Sequence, residues 1–214
     1  ATFTSGRWLE RLGLFGAVLL LTFALCGYIV AYQPRIVRNH ARGVGIAALM
    51  LSMLLLAQLA GIGSNQLHLF ATAPTVLVAM IVAIAYDQRF ALGVGGIHAV
   101  LVTLGLGESL SFFMVLWLGV MVACYLLDDV RSRDKLVRVG GGVSIALALG
   151  TVVSGLLASD PPAYILRNAV YAGAAGMAAG FIVLGILPFI EKAFRITTSM
   201  TLLELADVSH PLLR

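Results

Sequence analysis

Seven stretches of this chain are each about 20 residues long, apolar, and free of charge through their centres. That length and character match a helix crossing roughly 30 Å of hydrocarbon. The stretches are residues 12–32, 44–62, 67–86, 90–106, 110–127, 137–158 and 164–187. A membrane barrel would instead show segments of about ten residues alternating in polarity, whereas these runs are continuous. Only the short Gly105-Leu106-Gly107-Glu108-Ser109 break separates the fourth run from the fifth. It admits a re-entrant hairpin, but seven crossings is the better count. Composition agrees. The 214 residues are 60% hydrophobic and 11% charged, against about a quarter charged in a soluble domain. A mean hydropathy of +1.01 excludes both a soluble globule and a disordered chain. The expected fold is all-α, a polytopic seven-helix transmembrane bundle over 12–187. A pre-membrane segment (1–11) precedes it and an amphipathic linker (188–214) follows.

The ends of the chain carry their own readings. The first run exceeds the roughly 7–15 apolar residues of a signal-peptide core, so it is expected to be a span. The absence of an initiator Met before Ala1 reads as a piece of a longer protein. Cys26 and Cys124 are too few for a disulfide framework.

Loop charge predicts the orientation. Lys and Arg collect in cytoplasmic loops. Connections 33–43, 87–89 and 128–138, with everything after 187, hold Arg35, Arg38, Arg42, Arg89, Arg131, Arg133, Lys135, Arg138, Lys192, Arg195 and Arg214, eleven of the fourteen basic residues. The other ends hold Arg7, Arg11 and Arg167. The N-terminus is therefore expected outside and the C-terminus in the cytoplasm of a bacterial inner membrane. The basic collar would face anionic lipid headgroups, and lipid rather than nucleic acid is the reading of the net charge of +4.

Charged groups inside a bilayer are costly and mark function; the span centres hold none. Lys135 and Lys192 sit at the cytoplasmic boundary, which excludes a retinal-type Schiff base. Buried carboxylates for an ion pump are lacking as well. His98 lies near the middle of the fourth span. It has two readings: a ligand or proton-relay group, or a neutral histidine bonded to a neighbouring helix. Gln58 and Ser52 read as interhelical glue. His40, His68, His98 and His210 lack zinc-ligand spacing, so no metal is expected. Gly142-Val143-Ser144 resembles the G-x-S of intramembrane serine proteases, which would need a histidine base such as His98 beside Ser144. Gly140, Gly141, Gly142, Gly173, Gly176 and Gly180 crowd the last two spans. Small residues allow close helix packing, or a seventh helix free to slide. Pro74 is expected to kink the third span. At the outer ends, Gln66, His68, Glu108, Asp160, Tyr164, Arg167 and Asn168 are candidates for a polar vestibule.

The tail has a different character. Residues 189–195, Phe-Ile-Glu-Lys-Ala-Phe-Arg, are amphipathic and either lie along the inner surface or continue the seventh helix past a proline bend. Thr201-Leu202-Leu203-Glu204 is a capping box. His210-Pro211 would end the helix it opens.

Residues 185–213, from Gly185-Ile186-Leu187-Pro188 through Glu191, Phe194, Thr201-Leu202-Leu203-Glu204-Leu205 to Ser209-His210-Pro211-Leu212-Leu213, resemble the junction of bacterial seven-transmembrane receptors that carry an intracellular HD hydrolase domain. That family includes the membrane cyclic-di-AMP phosphodiesterases. Ser209 stands where Asn is usual, and Arg195 where a small residue is common. The resemblance implies an extracytoplasmic sensing domain, this bundle, and a cytosolic HD phosphodiesterase binding a divalent metal. It implies no catalytic residue, cofactor or metal within this chain, and the chain has no His-Asp dipeptide. It makes Pro188, Glu191, Phe194, Thr201, Glu204, His210 and Pro211 a signal-relay linker, with the HD domain as partner and a homodimer by analogy. The alternative is a small-molecule permease subunit. That reading calls for an internal repeat or polar midplane residues, and the chain offers little polarity beyond His98.

Overall fold

In hydrocarbon every backbone N–H and C=O must find its partner internally, which leaves a chain of this composition only helices. The computed structural model describes residues 2–37, 39–62, 67–127 and 133–194. In chain order the helices are α1 (Thr2–Tyr32), the short α2 (Pro34–Val37), α3 (His40–Ile62), α4 (Thr72–Ala85, entered through a 3-10 turn at Leu67–Ala71), α5 (Gln88–Leu106), α6 (Leu110–Leu126), α7 (Arg133–Leu157) and α8 (Pro162–Phe194). Five of them, α1, α3, α5, α7 and α8, contain a stretch long and apolar enough to cross a membrane. Two further apolar helices are shorter, Leu69–Ala85 and Leu110–Leu126. At 1.5 Å per residue the 17 residues of α6 reach about 26 Å. The fourth and fifth runs form two separate helices, α5 and α6, joined at Gly107-Glu108-Ser109, and α5 by itself is long and apolar enough to cross a membrane.

The short α4 is the central helix. Every residue from Thr72 to Val82 is buried, as expected of a helix that is apolar all round. It packs against α3, α5, α6 and α8. Pro74 falls in its first turn, where a missing N–H costs little, so it starts the helix rather than kinking the span. One core layer joins α4, α6, α7 and α8 through Val76, Leu116's neighbour Val115, Leu136, Val143, Leu147 and Val183. A second joins α3, α4, α5 and α6 through Ile46, Val82, Phe90, Val94 and Val120.

α7 and α8 run antiparallel and touch backbone to backbone. A Cβ placed on Gly180 would lie 2.6 Å from the Gly140 Cα, and one on Gly176 would lie 2.9 Å from the Ser144 Cα. Such proximity is the packing gain that small residues provide in lipid.

α1 stands at the edge. It packs mainly on α5, where the Tyr28 hydroxyl donates to the Arg89 carbonyl at 2.7 Å and the Tyr28 ring stacks on Phe90, centroids 5.8 Å apart. Its remaining face, including Leu20 and Phe23, is open to lipid.

Candidate functional site: a polar pocket at one end of the bundle

Two helix ends build the pocket in the same way. At the end of α5, Gly107 adopts φ 68°, and the Gly107 and Glu108 amides donate to the Leu104 and Thr103 carbonyls at 3.3 and 3.0 Å. At the end of α7, Ser159 adopts φ 57°, and the Ser159 and Asp160 amides donate to the Leu156 and Gly155 carbonyls at 3.1 and 3.0 Å. Both are Schellman endings, with a left-handed residue followed by the residue that closes the outer bond. In each the closing residue is a carboxylate, Glu108 or Asp160.

These two acids line one cavity of about 170 Å³. Tyr164, Ile165 and Asn168 of α8 form another wall, Thr151 and Ser154 of α7 a third, and Ser109 with Phe112 and Val115 of α6 a fourth. The Thr151 hydroxyl donates to the Leu147 carbonyl at 2.8 Å. Its oxygen keeps acceptor capacity. The Asn168 Oδ1 is buried and accepts no hydrogen bond. Ser109 precedes α6 without using its side chain as a cap. The lining thus combines two carboxylates, an unpartnered amide oxygen, hydroxyls and apolar walls. Among the described residues no cation lines it. Chemically it suits a ligand rich in hydrogen-bond donors.

Of the vestibule residues expected from the sequence, Glu108, Asp160, Tyr164 and Asn168 come together here. Arg167 lies just outside, its guanidinium 4.8 Å above the Tyr164 ring centroid, a cation–π contact. His68 sits in the 3-10 turn, with its side chain outside the described residues, as is all of Gln66. The pocket's Ser109, Thr151 and Ser154 were not among the expected residues. The three-residue spacing of Thr151 and Ser154 on one helix face is the signal that could have found them.

His98 and Gln58 are elsewhere. His98 is fully buried and its Nδ1 lies 3.1 Å from the Thr75 Oγ1 of α4. Its Nε2 has no hydrogen-bond partner. Neither ring nitrogen bonds Ser144, whose neighbours are Gly173 and Gly176 of α8; the protease pairing is not assembled. The Gln58 amide rests against Gly105 of α5, in the interhelical place its residue type predicted. No group of three or more His, Cys, Asp or Glu able to hold a metal occurs among the described residues.

Of the linker residues, Pro188, Glu191 and Phe194 fall in α8, which continues through the proline to Phe194. Of the two courses open to residues 189–195, the helix takes the continuation as far as it is described. Thr201, Glu204, His210 and Pro211 lie outside the described residues. α8 is 33 residues long, about 50 Å at 1.5 Å per residue. It therefore has its first turns in the polar pocket and is longer than a hydrocarbon core of roughly 30 Å is thick.

No curated protein and no solved structure matches the chain. The family model described as "7TM receptor with intracellular HD hydrolase" matches residues 8–198. That stretch runs from α1 to just past α8 and takes in both the polar pocket and the helix leaving it, so this multi-pass membrane chain belongs to that receptor family.

Proposed function

We propose that this chain is the transmembrane sensory and anchoring part of a receptor, and that it relays a signal to a C-terminal cytosolic HD-type cyclic-di-AMP phosphodiesterase. What supports the reading is the continuity of α8, which carries Tyr164, Ile165 and Asn168 in the polar pocket at one end and runs without a break to Phe194 at the other. Occupancy of the pocket biases the position of α8, and the bias leaves the membrane through Pro188, Glu191 and Phe194. A ligand shifts such an equilibrium only by its differential affinity for the two states.

In this reading the bundle lies in a bacterial inner membrane with the polar pocket outside, and the basic collar sits on anionic headgroups of the inner leaflet. The HD domain belongs to the same polypeptide and holds its own divalent metal; this chain contributes no catalytic group. Homodimerisation would pair two such levers.

Pro188 is the place to test it. Proline removes the bond its N–H would make to the Leu184 carbonyl, so Pro188→Ala restores a helical bond at the membrane exit. In the full-length polypeptide reconstituted in liposomes, we expect P188A to change cyclic-di-AMP hydrolysis by at least about twofold, the low end for residues that carry coupling. An unchanged rate overturns the relay, and a stop codon directly after Arg214 overturns the assignment of an effector.

A further inference from the structure

The polar pocket adjoins a second cavity. Val115 and Ser154 line both. The second cavity, about 380 Å³, is a trough between α6 and α7 walled by Met114, Trp117, Leu118, Met121, Leu149 and Val153. Its open side faces the bilayer: Met114, Leu149 and Val153 are each more than half exposed. Its floor is where the helices meet, for a Cβ on Gly150 would lie 3.3 Å from Leu118. The lining runs along α6 from Ser111 to Met121, ten residues or about 15 Å. That is half of a hydrocarbon core of roughly 30 Å, the depth of one leaflet.

We infer that pocket and trough together form one binding site for a membrane phospholipid with a primary-amine headgroup. The trough takes an acyl chain along one leaflet, and the pocket takes the head. The headgroup class follows from the lining. Glu108 and Asp160 bring negative charge and the Asn168 Oδ1 a buried acceptor without a donor. A primary ammonium carries three N–H donors, as a lysine head does, whereas a trimethylated ammonium has none and an anionic head would meet two carboxylates. At the rim, the Arg167 guanidinium, held over the Tyr164 ring, supplies a cation of the kind that pairs with a phosphate. The site requires only that the bundle is embedded in a bilayer; it does not depend on the relay to an effector, and either can fail alone.

Trp117 lines the trough and reports on it. Trp8 is the only other tryptophan, so the W8F chain has a single indole. This chain is reconstituted in phosphatidylcholine vesicles containing rising fractions of brominated-chain phosphatidylethanolamine, phosphatidylglycerol or phosphatidylcholine, and Trp117 quenching is followed. We expect half-maximal quenching by the ethanolamine lipid at a fraction about threefold lower than by the choline lipid, the size a partly solvated charge pair gives. In the double variant E108Q/D160N, both changes lying in turns outside the helices, the advantage disappears while the phosphatidylcholine curve stays put. Three superimposable curves mean exchanging annular lipid and overturn the inference. So does a lead for phosphatidylglycerol, or an ethanolamine preference that survives the double variant.

Discussion

His98 shows how a single buried polar residue is accommodated in this bundle. Its partner Thr75 comes from α4, the neighbouring helix, and the pair sits at 3.1 Å with both residues fully buried. Interhelical side-chain bonds of this kind contribute about 0.6 kcal/mol in a membrane, because the unfolded chain in lipid also finds partners. A double-mutant cycle of His98→Leu and Thr75→Val, read by denaturant unfolding in micelles, should return a coupling near that value. Strict additivity would mean that the bond contributes nothing and that His98 is held by shape alone. The helix-bonded reading of His98 was available from its position in an apolar span; its partner was not, since nothing in one sequence pairs residue 75 with residue 98. The same holds at the pocket. Gly107 advertises a left-handed helix ending, because glycine enters that region freely. Ser159 takes the same conformation without any such residue preference, so the matched placement of Glu108 and Asp160 emerges only in three dimensions.

At the scale of elements, the α7–α8 seam is the contact on which a moving α8 would depend. Its glycines differ in what an added side chain would meet. Gly180 has the Gly140 Cα where its side chain would be, whereas Gly185 has nothing within 4 Å. Overpacking costs about 1–3 kcal/mol, and glycine in a helix interior is roughly 0.5–1 kcal/mol worse than alanine. Gly180→Ala should therefore lower the stability of the bundle while Gly185→Ala leaves it level or raises it. Thermal unfolding of the two variants in one detergent checks this, and equal effects would show that the seam is not closely packed. The crowding of glycines in spans six and seven did signal close approach. Which glycine meets which depends on register, and the sequence left both a fixed seam and a sliding one open. The direct Gly140–Gly180 contact is that of a closely packed seam. The third span was misjudged in detail: Pro74 marks the start of α4 after a 3-10 turn, because a proline is tolerated there without breaking the helix that follows.

For the whole molecule, the alternating arrangement of seven membrane helices puts the Glu108–Asp160 pocket and the basic connections at opposite ends. In the proposed orientation the charge bias among loops puts the basic end in the cytoplasm. Single cysteines introduced at Ser109 and His40, both exposed, test this against a low background, since Cys124 is buried and Cys26, though exposed at the protein surface, lies inside the apolar stretch Arg11–Tyr32 of α1. In intact cells a membrane-impermeant maleimide should label Ser109→Cys at once and His40→Cys only after permeabilisation; the reverse order would invert the bundle.

The number of helices and their all-α class were legible in the chain itself, because hydrocarbon accepts only long, uncharged, internally bonded segments and a single segment suffices to reveal that. Assembly decided the rest. The most central helix proved to be one of the shortest, two acids 52 residues apart closed on one pocket, and that pocket shares Val115 and Ser154 with a trough between α6 and α7. Those relations depend on which faces of the helices meet. A sequence of nearly uniform apolarity says little about facing, and close packing of small residues and shared turns settles it.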